Sequence, residues 1–135
     1  MERQNICTNS CWEQVVGCSK AVKVGDRVHV SGTTSMNQAG KIVGLGNPYT
    51  QTKRIIENIE LALLKAGSSL EDVVRTRIYV TNIDRRHNVC RAYREYFSDI
   101  CPATTIVEVS RLIAPEVLVE IEADAVIDSK PAKKA

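Results

Sequence analysis

Residues Val117 to Val126 alternate without a break. Val117, Val119, Ile121, Ala123 and Ala125 fall on one side, and Leu118, Glu120, Glu122 and Asp124 on the other. Successive side chains of a strand point to opposite faces, so this segment predicts a strand with one apolar and one acidic face. Such a strand belongs in a sheet covered on one side only. Val73 to Val80 repeats the demand with the opposite charge, setting Val74, Thr76, Ile78 and Val80 against Arg75, Arg77 and Tyr79. Thr104 to Ser110 supplies a third such strand, in which Thr105, Val107 and Val109 oppose Thr104, Ile106, Glu108 and Ser110. A turn around Ala114-Pro115 separates it from the last strand.

Two helical stripes supply the cover. Ile55, Ile56, Ile59, Ala62, Leu63 and Ala66 recur at helical spacing, with Pro48 suited to the first turn and Gly67 to the stop. Val89, Ala92, Tyr93, Tyr96 and Phe97 form a second stripe, for which Asp84 is the expected cap. Ahead of them, Ala21 to Val24 and Arg27 to Ser31 flank Gly25-Asp26, the pattern of a type II′ hairpin. Lys41 to Val43 is a candidate short strand within a glycine-rich loop. The order β-β-α-β-α-β-β predicts an α+β domain with two helices on one face of its sheet. We divide the chain into an N-terminal arm (1–19) without sustained periodicity, a single domain (20–128) and a disordered Ser/Pro/Ala/Lys tail (129–135).

The uncovered face collects Arg75, Arg77, Glu108, Glu120, Glu122 and Asp124, with Tyr79, Ile106, Leu118 and Val126 among them. Charge alone would make it a solvated surface laced with weak ion pairs. The interspersed apolar side chains instead suggest a subunit interface, with a small-ligand cleft at its seams.

Charge argues against a nucleic-acid partner. The net charge of +2 includes Lys130, Lys133 and Lys134 of the tail, and without them 15 basic residues face 16 acidic ones. With one Trp, one Phe and four Tyr, base-stacking platforms are scarce. No segment has the length and apolarity of a membrane span, and the N-terminus lacks signal-peptide order, so a cytoplasmic protein is expected. The five cysteines are an odd number with no CxxC pair, which fits free thiols in a reducing compartment.

The usual catalytic constellations do not form. His29 and His87 have no partners at metal-ligand spacing, and Cys7, Cys11 and Cys18 match no zinc pattern, so no metal is expected. The loop from Gly32 to Gly46 lacks GxGxxG and the P-loop lysine. Ser31 ends a strand outside any GxSxG motif. It serves either as a turn serine or as a hydrogen-bond donor to a ligand.

Three segments, taken together, resemble the reactive-intermediate deaminase family, also called Rid, RidA or YjgF. They are Val28-His29-Val30-Ser31-Gly32, Cys101-Pro102-Ala103-Thr104-Thr105 continuing through Val107-Glu108-Val109-Ser110-Arg111-Leu112, and Val119-Glu120-Ile121-Glu122-Ala123. The resemblance spans roughly Gly17 to Val126. It implies a chorismate-mutase-like fold and a homotrimer whose sheets face inward, with clefts between neighbouring subunits. It further implies hydrolysis of small reactive enamines and imines to 2-oxo acids and ammonia, without metal or organic cofactor.

The sequence departs from that family where it matters most. The family's Pro-Ala-Arg arginine, which pairs with the substrate carboxylate, reads Thr104 here, so one neutral hydroxyl replaces a charged fork. Leaving a buried carboxylate without its cation costs about 3 to 5 kcal/mol, which makes the usual 2-aminoacrylate activity doubtful. Arg77 or Arg111 could supply a substitute guanidinium. The family's pocket tyrosine aligns with Cys18, its helix asparagine with Cys90 and its pocket cysteine with Ile106, while Ser31 and Glu120 are retained. Thr104, Thr105, Ser31, Cys18, Cys90 and Ile106 are therefore the expected ligand contacts. Cys18 and Cys90 either make the cleft thiol-rich or only fill apolar space. Glu120 is the expected catalytic residue, directing water, unless it is held in a structural ion pair with Arg75 or Arg77. A trimeric metabolite-binding or regulatory protein without turnover is the competing reading, and a ribonuclease is disfavoured by the neutral body.

Overall fold

The computed structural model describes residues 1–8 and 10–132. Six strands form one sheet: β1 (Arg3–Ile6), β2 (Ala21–Val24), β3 (Arg27–Thr33), β4 (Val73–Val80), β5 (Ala103–Glu108) and β6 (Val119–Val126). Three helices accompany them: α1 (Cys11–Val16), α2 (Pro48–Lys65) and α3 (Arg86–Phe97). The spatial order is β1-β2-β3-β6-β4-β5, with every pairing antiparallel except β4 with β5.

That order explains the bare face. Strands β3 and β4 both run antiparallel to β6, so they are parallel to each other. The path β3-α2-β4 is then a parallel crossover, and β4-α3-β5 is another, both stepping the same way across the sheet. Such crossovers are almost always right-handed, and two of them in one direction set both helices on the same side. Ile55, Ile56, Ile59 and Leu63 of α2 pack fully buried onto Val28 of β3 and Val119 and Ile121 of β6. Each contributes about 1.5 to 3 kcal/mol by leaving water. Asn47 caps α2 by accepting from Thr50 N–H, with Pro48 in the first turn as the sequence suggests. The hairpin turn at Gly25-Asp26 is also as expected, with Gly25 at φ 60° and Val24 paired to Arg27. Among the described residues no helix is long and apolar enough to cross a membrane.

Several local expectations need correction. The first 19 residues include β1, which extends the sheet beyond β2 and buries Ile6, and the short helix α1. Only one of the four β1 residues is buried, so no periodic signal arises. Helix α1 opens with the capping-box sequence Ser10-x-x-Glu13, of which one arm forms: Ser10 Oγ accepts from Glu13 N–H, while the Glu13 carboxylate turns to Thr8 and the Ser10 hydroxyl. Lys41 to Val43 contributes one bridge, Met36 to Ile42, rather than a strand. Asp84 does not cap α3: it lies inside a 3-10 turn, Ile83–Arg85, that Asn82 caps, and α3 begins at Arg86. Val74 is exposed because a bulge between Val73 and Arg75 gives its buried place to Val73.

The largest correction concerns β5. Its parallel register aligns Thr104 with Thr76, Ile106 with Ile78 and Glu108 with Val80, so Thr104, Ile106 and Glu108 share the helix-covered side. Ile106 packs against the core, and Glu108 accepts from Ile83 N–H. Thr105 and Val107 occupy the open face instead, beside Arg77 and Tyr79. An edge strand meets solvent on both sides, so its residue pattern carries little contrast from which to read a face.

Candidate functional site

On the open face the long side chains of β4 do not meet their direct partners across β6. Tyr79 lies opposite Glu120, and Arg77 opposite Glu122. Yet Tyr79 Oη donates to Glu122 at 2.5 Å and Arg77 donates to Asp124 at 3.0 Å, each leaning one pair along. Asp124 is also met by His29 Nδ1 at 2.7 Å, and Arg75 donates to Thr105 Oγ1 at 2.9 Å. Burial alone would raise the Asp124 carboxyl, but the His29 and Arg77 hydrogen bonds outweigh it and hold that group below its ordinary range. The Glu122 hydrogen bond, then burial, pushes the Tyr79 phenol up.

This diagonal lacing leaves Glu120 over. Among the described residues it makes neither a side-chain hydrogen bond nor an ion pair, so the alternative of a structural pair with Arg75 or Arg77 is not what forms. Its carboxylate leans instead over Gly32. A Cβ on that glycine would stand 2.1 Å from Glu120 Oε2. The approach occurs where β3 bulges between Val30 and Thr33, so that Ser31 and Gly32 together face one position of β6. Burial raises the Glu120 carboxyl, the neighbouring Glu122 adds to the rise, and Lys20 opposes it. A partly desolvated carboxylate with no internal partner suits proton transfer to and from water.

The segment Cys18-Ser19-Lys20 runs alongside. Ser31 Oγ donates to Ser19 O at 2.7 Å, and Ser31 N–H donates to Lys20 O at 3.0 Å. Lys20 N–H donates to Ile6 O at 2.8 Å, clamping its backbone between β1 and β3. Its ammonium donates to Thr33 Oγ1 at 2.6 Å, and Thr33 Oγ1 in turn donates to Ser31 O. Burial brings Lys20 down to about 8 against the pull of Glu13, Glu120 and Cys18. Glu13 is buried and accepts from Thr8 N–H, the Thr8 hydroxyl and Ser10 Oγ. Burial alone would raise Glu13, but these hydrogen bonds hold it low. Lys20 is the site residue that motif and periodicity miss. The signal lies in the hairpin: a two-residue turn that pairs Val24 with Arg27 carries the register back to Ala21 with Val30, which sets Lys20 beside Ser31.

Ser31, the Cys18 segment and Glu120 therefore converge. Thr104, Ile106 and Cys90 do not join them within one copy of the chain. Thr104 sits on the far side of the sheet, in a triangle of hydroxyls with Thr76 (2.8 Å) and Tyr93 (2.8 Å), and it donates to Pro102 O at 3.0 Å. The Thr104 hydroxyl is thus engaged within its own subunit by side chains and by Pro102 O. Cys90 is exposed on α3, one turn before Tyr93. Thr105, on the open face, is engaged by Arg75. Arg77 is committed to Asp124, and Arg111 is exposed in the loop after β5. Among the described residues no three His, Cys, Asp or Glu side chains are placed to hold a metal ion.

With this geometry in view, the comparisons with known proteins are specific. Residues 12–127 match the family model described as Endoribonuclease L-PSP. A RutC family protein of Pyrococcus abyssi is 39% identical over 126 residues, covering 93% of this chain and 98% of its own. The 3-aminoacrylate deaminase RutC of Acinetobacter baylyi is 33% identical over 101 residues, covering 75% of this chain and 79% of its own. Among solved structures, a Mycobacterium tuberculosis member of the YjgF/YER057c/UK114 family superposes with a TM-score of 0.85 at 44% identity, covering 93% of this chain and all of that one.

Proposed function

Because the chain belongs to the YjgF/RidA/RutC family, we propose that it hydrolyses a small imine or enamine, with Glu120 as the acid and base, in clefts between the subunits of a homotrimer. The observation that carries this reading is the Glu120 carboxylate, left without a protein partner and raised by burial, over Gly32 at the β3 bulge. Water adds to the C=N carbon as Glu120 takes its proton. The carbinolamine then collapses as the same group returns the proton to nitrogen, the C–N bond breaks, the hydroxyl proton passes to the freed Glu120 carboxylate as C=O forms, and ammonia leaves. An enamine first takes a proton at carbon to become the imine. No electron is gained or lost, so the reaction needs only water.

The two faces of the sheet support a site shared between copies. Glu120, Ser31 and Cys18 gather at the bulge, whereas Thr104, Ile106 and Cys90 belong to the β5 and α3 side. One copy holds these groups on opposite sides of the sheet, and a neighbouring copy would bring the second set to the first. Tyr79, Val107 and Val126 between the charges of the open face, and exposed Trp12, Val15 and Val16 on α1, offer apolar area for such contacts. Free thiols at Cys7, Cys18, Cys90 and Cys101 fit a reducing compartment such as the cytoplasm.

The deaminase among its relatives makes 3-aminoacrylate the first substrate to try, with 2-aminoacrylate as the second. Both can be generated in situ and followed by ammonia release above the spontaneous rate. Glu120→Gln should slow turnover by about 100-fold or more. A Glu120→Gln protein as fast as the parent would remove this reading, and a ligand that raised the melting temperature without being consumed would then favour a binding protein.

A further inference from the structure

We infer that Lys20 is the cation that selects an anionic substrate at the Glu120 site, binding the carboxylate of an imino or enamine acid, an assignment that rests on the hydrolytic reading above.

The local field makes such a cation necessary. Glu120, Glu122 and Glu13 surround the bulge with negative charge, which would repel an incoming carboxylate. Of the arginines of the open face, Arg77 is paired with Asp124, and Arg75 stands opposite Asp124, four residues along β6 from Glu120. Position 104, where a fork-shaped cation could stand, holds a neutral hydroxyl engaged with Thr76, Tyr93 and Pro102. Lys20 is the cation that remains within electrostatic range of Glu120.

Its geometry fits the task. The backbone is clamped on both sides, by Ile6 O and by Ser31 N–H, so the side chain starts from a fixed point. The ammonium is oriented by Thr33 Oγ1 at 2.6 Å, and Thr33 is itself buried. An ammonium has three donors, and that bond uses one. Among the described residues neither Glu13 nor Glu120 forms an ion pair with it, although both attract it. A half-buried charge without a contact ion is poorly solvated, and an anionic ligand group would supply the missing counter-charge. The same ammonium favours the ionised form of Glu120. Carboxylate recognition and base strength would thus be set from one point.

The test uses pyruvate, an anionic 2-oxo acid of the product type, against methyl pyruvate, its neutral ester. Calorimetry on the full chain at pH 7 should show pyruvate binding reduced about 10-fold or more in Lys20→Met and largely kept in Lys20→Arg. Methyl pyruvate should bind the parent and Lys20→Met alike. In turnover, Lys20→Met should raise KM more than it lowers kcat. If Lys20→Met does not fold, the parent still decides. Its pyruvate affinity should fall as pH rises through about 8, and methyl pyruvate affinity should not. The groups that act on Lys20 are Glu13 from α1, Glu120 from β6 and Cys18 beside it; repeating the titration in Glu120→Gln and in Cys18→Ser removes the second carboxylate and the thiol in turn. Absence of pyruvate binding to the parent, equal losses for acid and ester, or a flat pH profile would overturn the role of Lys20. If Glu120→Gln abolishes turnover while Lys20→Met leaves KM and pyruvate affinity intact, Lys20 is dismissed and the hydrolase stands. A fully active Glu120→Gln dismisses the hydrolase itself.

Discussion

At Gly32 a methyl group would stand 2.1 Å from Glu120 Oε2, and the backbone there is not in the left-handed region. Gly32→Ala should therefore cost the fold little, within about 1 kcal/mol, because the group that gives way is the end of a flexible side chain. It should nevertheless displace the carboxylate and lower turnover toward the Glu120→Gln level; melting and ammonia release on one preparation check both. Glu120 also leaves a mark on stability. Burial raises its folded carboxyl above the unfolded value, so the unfolded chain ionises it more readily. For this group stability is fullest below the unfolded range and falls as pH rises through the folded value. Glu120→Gln should thus be more stable than the parent at pH 7, and the advantage should fade below about pH 4. Urea melts at the two pH values measure it, and a constant difference would contradict the shift. Alternation in β6 makes Glu120 legible from sequence. Lys20 is legible only through the hairpin register, because no pattern marks a lone lysine ahead of a strand. Thr104 misleads because its strand lies at the edge.

Among the elements, α2 fixes the start of β6 through one side chain. Gln51 is fully buried and donates to Gly44 O at 3.1 Å and Glu116 O at 2.9 Å, while accepting from Leu118 N–H at 2.9 Å. Gln51→Ala would strand these three backbone groups and should destabilise the chain by about 2 to 4 kcal/mol, read as a lower urea midpoint. Leu118 stands two residues before Glu120, so turnover should fall alongside stability. Sequence periodicity finds α2 readily from its isoleucine and leucine stripe, yet gives Gln51 no weight, since a polar residue in an amphipathic helix usually faces water. The start of α3 escapes for a related reason. Asn82 and Asp84 both suit a cap, but Asn82 caps the intervening 3-10 turn, and α3 begins at Arg86 without a side-chain cap. The bulges at Val74 and at Ser31-Gly32 are likewise invisible to counting by twos, although the second shapes the whole site.

For the whole molecule, the open face and the division of candidate residues between two sides of the sheet are what the proposed homotrimer rests on. Sedimentation should find a trimer of the 14.9-kDa chain. Val107, on the open face and 40% exposed in the isolated chain, should tolerate Val107→Asp as a monomer while disfavouring assembly. Dissociation with loss of turnover is expected from that variant, and a monomeric parent with full activity would refute the shared cleft. Helix stripes, strand alternation and the one-sided sheet can all be read from sequence because each is a local pattern repeated along an element. Strand order cannot, because it depends on which distant segments meet. That order places β6, the last of the six in chain order, between β3 and β4. During synthesis those two strands have no neighbour to share, and the middle of the sheet stays open until residue 119 and beyond emerge. Non-local pairing of this kind is slow to nucleate and exposes unpaired edges meanwhile. The strand that completes the sheet also carries Glu120, so its carboxylate takes its seat over Gly32 only when that middle is closed.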